Sequence, residues 1–306
     1  MNHSPDARGI RTIAILVLLL VQPAWFVSAN EVETGEKKEI SIVDYYGASI
    51  VLNEPAKSVV SLSPGITETV FALGYGQLLV GRSAYCDYPP EAAPIAIVGS
   101  MLEPNAELIV ALSPDIVIAS THFTREAFER LTDLGIKVAV LKGQETFEGV
   151  YKGVIQPVAV LLGDVEAGER LISSMRATVA SAMDRARRFA VNPTVYYVVG
   201  FGEGGDWTAG GDTFIGEMIV MAGGKNIAAD ISGWSFNLET LVERDPDIIL
   251  IPPWAENLFP LAPVYSSLRA VRNGNVLVVD DDSVSRQGPR IVEAFSGLVD
   301  AIGTFR

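Results

Sequence analysis

Few side chains in this sequence could do covalent or metal chemistry. Only His122 of the two histidines lies past the first thirty residues, and Cys86 is the one cysteine of 306 residues. A Ser–His–Asp triad would have to use His122, and no G-x-S-x-G turn accompanies it. Neither Ser63 in SLSPG nor Cys86 therefore reads as a nucleophile. A protein-built zinc or manganese centre needs several His and carboxylate ligands converging, which one histidine does not supply. Gly200-Phe201-Gly202-Glu203-Gly204-Gly205 has G-x-G-x-x-G spacing, but DWTAGGD follows it with no helical apolar period. A dinucleotide fingerprint needs its last glycine to open a helix. The chain thus reads as a non-enzyme that carries no metal or cofactor of its own.

Non-covalent binding fits the residues better. Tyr85, Tyr88, Phe123, Phe201, Trp207, Trp234 and Phe236 gather in loops, several of them just after strand-like runs. Open parallel sheets place ligands at such strand ends. Any one of these rings could instead pack a core, and Trp234, between Gly233 and Ser235, suits that role least. Few charged residues accompany them, which favours a large, flat, partly apolar ligand over a small anion or amino acid.

Positioning these residues falls to alternating strands and helices. Residues 39–52, EISIVDYYGASIVL, alternate around Tyr46-Gly47 and predict a hairpin. SVVSLS, LLVGRS, AIVGS, DIVIAS and KVAVL then read as strands, with helical stretches between some of them. That order predicts a parallel sheet covered by helices. Residues 146–188 lose the strand signal. The first part reads as helix interrupted at Pro157 and Gly163, and the second carries an i, i+4 stripe of Leu171, Met175, Val179 and Met183. TVYYVVG restarts the αβ pattern, and NVLVVD and a helix from about Pro289 close it. The sequence also repeats itself. NAELIVALSPDIVIAS (105–120) and NLETLVERDPDIILIP (237–252) share six of sixteen residues, which is the mark of two similar half-molecules.

These readings give an α/β fold of two lobes with mostly parallel sheets, joined by one long rigid helix, with a cleft between the lobes. The expected boundaries are a signal peptide over 1–29, a first lobe over 30–163, a connecting helix over 164–190 and a second lobe over 191–306. In the leader, Arg8 and Arg11 precede the apolar run TIAILVLLLV, and small residues follow at Ser28 and Ala29. The run is short for the roughly 20 residues that span a bilayer. Export to a Gram-negative periplasm follows. Cys86 lies too far along to anchor a lipid and has no disulfide partner. A net charge of −14 gives no electrostatic footprint for nucleic acid.

SVVSLSPGITETVFALGYGQLLVGRSAYCDYPPEA, VGSMLEPNAELIVALSPDIVIAS, MAGGKNIAAD and RQGPRIVEAF together resemble the periplasmic binding proteins that feed cobalamin and iron-siderophore ABC importers. YCDYPPEA is most similar to the cobalamin-binding branch. The resemblance implies a monomer that captures a macrocyclic small molecule, cobalamin or a related corrinoid, and delivers it to a permease dimer in the inner membrane. Tyr85 and Trp234 match the cobalamin pattern; with Phe123, Phe201, Trp207 and Arg286 they are the expected ligand contacts, and the resemblance implies permease docking through Glu107 and Glu239. The alternatives are a ferric siderophore, with Arg82, Arg286 and Arg290 as donors, or a scaffold or sensor that keeps the fold without transport. Haem-binding relatives place a tyrosine where this chain has Ser100, which counts against haem.

Overall fold

The computed structural model describes residues 39–305, so the expected signal peptide lies outside the described residues. β1 (Ile40–Val43) and β2 (Ser49–Leu52) form an antiparallel hairpin with Ile40 opposite Leu52. Beyond it, β3 (Val59–Ser61), β4 (Leu79–Arg82), β5 (Ile116–Ser120) and β6 (Val138–Leu141) make a parallel sheet in the order β4-β3-β5-β6. The second half contributes β7 (Thr194–Tyr197), β8 (Asp206–Trp207), β9 (Lys225–Asn226), β10 (Ser235–Phe236), β11 (Ile248–Ile251) and β12 (Val276–Val278). β8 and β10 pair antiparallel as a small ribbon, while the others form a parallel sheet in the order β12-β11-β7-β9. Numbered within its own lobe, each parallel sheet runs 2-1-3-4.

Both faces of these strands are buried, which is why they read as unbroken Val/Ile/Leu runs. Val59, Ile116, Ile118 and Ala139 belong to one core of the first lobe, and their neighbours Val60, Val117 and Val138 to the other. The second lobe divides likewise, with Val195, Tyr197, Ile248 and Leu250 on one side and Tyr196, Ile249 and Ile251 on the other. AIVGS is not a strand. It makes only single bridges, Arg82 to Ile97 and Gly99 to Pro104, because the chain doubles back at Gly99, whose φ is +105°.

The repeated segments fold alike. Helices Ala106–Leu112 and Leu238–Arg244 are each capped by an asparagine whose side chain accepts an N–H, from Leu108 and Thr240 respectively. Each ends on a left-handed residue, Ser113 or Asp245. The shared Pro-Asp then clamps the lobe's first strand. Asp115 Oδ2 accepts the N–H groups of Lys57 and Ser58 at 2.7 and 2.9 Å. Asp247 Oδ2 accepts from the Thr194 N–H and hydroxyl at 2.9 and 2.8 Å.

Pro157 does not interrupt its helix. Phe147–Val150, a π turn over Tyr151–Ile155 and Gln156–Leu161 run on continuously. A proline lacks the N–H that an α-helix needs and its ring clashes one turn back. The wider π turn relieves both, with the Gln156 N–H reaching Tyr151 O. Phe147, Val150, Tyr151 and Ile155, which the sequence reading gives to the first lobe, pack into the second lobe's core. The helix Val165–Ala186 starts on Asp164, whose carboxylate accepts from the Ala167 N–H at 2.9 Å. Its 22 residues span about 33 Å. Ala167 packs on the first lobe, and Met175, Val179, Ala182 and Ala186 pack on the second. Leu171 and Met183 flank that stripe partly buried.

Candidate functional site

In a 2-1-3-4 sheet the chain reverses direction between the first and third strands, and the loops after those strands leave a crevice. In this chain both crevices open on one space. Ser63 follows β3, and Ser120, Thr121 and His122 end β5. Val198 and Val199 follow β7, and Pro252 follows β11. Together they line a cleft of about 670 Å³ between the lobes, within the range of small-molecule sites. Ile66, Leu141, Val154, Phe214 and Ile215 supply apolar floor and walls. Tyr85 enters from the first lobe and Trp234 from the second, and both are exposed.

Beside the cleft a buried ion pair locks the lobes together. Glu68, 3% exposed on the helix Pro64–Ala72, accepts two hydrogen bonds from Arg290, at 3.0 Å from Nε and 2.8 Å from Nη2. Arg286 lies 3.6 Å from the same carboxylate and donates to Asp87 at 2.7 Å. The Arg290 guanidinium also stacks 3.8 Å over the Tyr88 ring. Beside it the backbones meet, since a Cβ on Gly65 would fall 2.5 Å from the Gln287 carbonyl oxygen. Glu145 adds a further tie, accepting the Phe214 N–H at 3.1 Å across the lobes. The Arg286 hydrogen bond holds the Asp87 carboxyl below its ordinary value, and the Glu68 hydrogen bonds raise the Arg290 guanidine. Burial, then its neighbours Asp282 and Asp280, pushes the Asp281 carboxyl up.

Of the residues picked from sequence, Tyr85, Trp234 and Arg286 line the cleft and three do not. Phe123 is 2% exposed and turned into the first lobe's core, while its neighbour His122 takes the cleft side. Phe201 stacks on Trp254, with centroids 5.8 Å apart and planes 6° from parallel, and meets Phe259 and Tyr265 edge-on. Trp207 pairs with Gly200 and lies exposed outside the cleft. The glycine-rich segment is therefore a β-turn region with Gly202 and Gly205 at positive φ, not a helix start. Its shape is held by Tyr265, which donates to Asp206 at 2.8 Å and accepts from the Gly202 N–H at 3.1 Å. Burial, then the Asp206 bond, pushes the Tyr265 hydroxyl up to about 12. Arg82 is spent on the carbonyls of Ala92, Ser83 and Ala93.

The sequence reading missed a polar rim. Lys142, Glu145, Asp281, Asp282 and Gln287 all reach the cleft, so the site is more charged than expected. Lys142 directly follows β6, and the strand-end rule would have found it. Among the described residues no group of three His, Cys, Asp or Glu side chains is placed to hold a metal, and no helix is long and apolar enough to cross a membrane.

The periplasmic binding protein family matches residues 59–283. The chain is a periplasmic binding protein. It is 30% identical over 269 residues to YvrC, an uncharacterized ABC transporter substrate-binding lipoprotein of Bacillus subtilis, covering 86% of this chain and 85% of that one. It is 31% identical over 272 residues to a cobalamin-binding protein of Halobacterium salinarum, covering 84% and 72%. Among solved structures, the periplasmic heme-binding protein RhuT from Roseiflexus sp. RS-1 superposes with a TM-score of 0.74 at 29% identity, covering 81% of this chain and 98% of that one. This binding protein is thus the solute-capturing part of an ABC importer, a role that asks for a cleft and docking surfaces rather than catalysis.

Proposed function

We propose that this binding protein captures a corrinoid of the cobalamin class in the periplasm, as a monomer exported by its cleaved leader, and hands it to a two-fold permease. The observation that carries this reading is the cleft itself, with apolar walls beneath a polar rim, Tyr85 on one lobe and Trp234 on the other. Aromatic faces against a macrocycle give about 0.5–1.5 kcal/mol per pair beyond area burial. The cobalamin-binding relative supports the ligand class. Of the arginines the siderophore alternative would use, Arg82 and Arg290 are bonded away from the cleft, and Arg286, which lines it, is paired with Asp87 and Asp282. Titration with cyanocobalamin in a calorimeter, followed by desalting, tests the reading. The expected result is a 1:1 complex that keeps its colour. No heat and no retained colour, alongside tight binding of a ferric siderophore or of haem, would move the assignment.

Docking falls to Glu107 and Glu239. Both are exposed at the second position of their capped helices. Neither makes an ion pair within the described residues, and Val110 and Val242, three residues on and on the same helix face, are 40% and 42% exposed. Two equivalent Glu–Val patches suit a partner with two equivalent subunits that offer cations. Charge reversal of both glutamates should leave ligand affinity nearly unchanged and weaken permease binding by several kcal/mol, roughly the cost of facing like charges. Undiminished transport by Glu107→Lys/Glu239→Lys in reconstituted vesicles would return both residues to helix capping.

A further inference from the structure

We infer that His122 is an axial ligand for the metal at the centre of the bound macrocycle. The inference rests on the corrinoid reading above. His122 is the one histidine among the described residues, exposed and lining the cleft at the C-terminal end of β5. Its backbone is pinned on the far side, since the Phe123 ring is buried in the core, the Phe123 N–H donates to Ser120 O at 2.9 Å, and the Phe123 carbonyl accepts from the Tyr46 hydroxyl at 3.1 Å. Ser120 Oγ lies 3.3 Å from Nδ1, and Nε2 has no partner among the described residues. A neutral imidazole with one nitrogen hydrogen-bonded and the other free is the usual arrangement of a histidine that ligates a metal.

The other donors in the cleft are less suited. Glu145 is taken by the Phe214 N–H, and Asp282 lies 2.9 Å from Arg286. The Lys142 ammonium, which stacks 5.1 Å from the Tyr45 ring, has no lone pair while charged. Tyr85, Met101 and Asp281 remain as competitors, because a phenolate or a thioether can ligate a metal in a macrocycle and a carboxylate can bind a metal. With a cobalt(III) corrinoid whose exchangeable face carries water, the cobalt–oxygen bond breaks and water leaves as Nε2 forms a cobalt–nitrogen bond. Nδ1 keeps its proton against Ser120 Oγ, and cobalt keeps its oxidation state.

Two probes separate this role from simple binding. Aquocobalamin has an exchangeable water, whereas cyanide blocks the same position in cyanocobalamin. On mixing with the full mature chain, aquocobalamin should shift its near-ultraviolet band to longer wavelength, and cyanocobalamin should not. His122→Ala should abolish that shift and weaken aquocobalamin about tenfold or more, as loss of a metal ligand does. Cyanocobalamin affinity should change much less. Aquocobalamin bound without a shift would overturn the ligation while leaving the corrinoid reading intact. A shift that persists in His122→Ala and disappears in Tyr85→Phe would give the role to Tyr85. Retention of neither cobalamin would overturn both the ligation and the reading it rests on.

Discussion

Removing the Glu68 charge should unfasten the two lobes. Glu68→Gln keeps the shape but leaves Arg290 and Arg286 without the carboxylate between them. The pair is well shielded, with side chains 2% exposed at Glu68, 18% at Arg290 and 11% at Arg286. Removing one partner of a buried, bidentate pair costs about 3–5 kcal/mol, because the remaining charge stays desolvated. Asp87 and Asp282 hold Arg286 from its solvent side, which places the expected loss near the lower bound. For a chain of this size each kcal/mol moves the midpoint by about 2–4 °C, so a drop of roughly 6–12 °C is expected. Calorimetry and urea unfolding at neutral pH would measure it. The Glu68→Gln/Arg290→Met double mutant should lose clearly less than the sum of the two single losses, since the second change removes the charge that the first one strands. A single-mutant loss below about 1 kcal/mol, the range of an exposed pair, would refute a buried lock. Strict additivity in the double mutant would do the same.

Three further outcomes are expected. Asp115→Ala and Asp247→Ala should each weaken the start of a lobe's first strand, by about 1.5–3 kcal/mol for lost hydrogen bonds to a charged acceptor, with the more exposed Asp115 at the lower end; urea unfolding that leaves either unchanged would remove the clamp from the account. Asp87, held below its ordinary value by Arg286, and Asp247, where burial is outweighed by the Thr194 donors, contribute stability that is full above the unfolded carboxyl pKa of about 4 and is lost as pH falls through their lower folded values. The melting temperature should therefore fall steeply below that pH, and Asp247→Asn should flatten part of the fall; an equally steep fall in the variant would exclude Asp247 as a source. Ligand should leave the radius of gyration in solution scattering almost unchanged, because the Glu68–Arg290 lock and the helix Val165–Ala186 both cross between lobes; a contraction of several ångströms would show a hinge.

The fold was legible where one residue type repeats for one physical reason. Strands buried on both faces need apolar residues at every position, so VVS, IVIAS and IILI announce themselves. AIVGS has the same composition and fails because Gly99 turns the chain before a ladder can form. Pro157 misled in the opposite direction, because a rule about α-helices does not foresee a π turn. In the site, the strand-end rule places backbones but does not say which way side chains turn. It led correctly to the loop after β5, and then His122 and Phe123 took opposite sides of it. Arg286 and Arg290 could not be assigned from sequence, since their carboxylates lie 199 and 222 residues away.

The repeated segment separates what folding requires from what it leaves over. Its asparagines cap helices, its aspartates clamp strands, and its isoleucines, Ile116 and Ile248, are buried in the lobe cores. Pro114 and Pro246 stand between a left-handed residue and a strand, where a fixed φ suits the turn. These identities follow from two lobes sharing one architecture. The valine does not, and the glutamate does so only through its favourable place in the first turn of the helix. Both are exposed in both lobes, and an exposed valine at the helix surface is a poorer choice than most polar residues. Duplication alone would let such positions diverge independently. The docking proposed for this pair would give a use to its occurrence one turn apart on each helix, each partner surface meeting a carboxylate and a small apolar patch. The same two-fold logic accounts for the sheets, because two crevices at equivalent strand ends can enclose one ligand only if the lobes face each other. The lock at Glu68 and Arg290 holds the lobes in that facing arrangement.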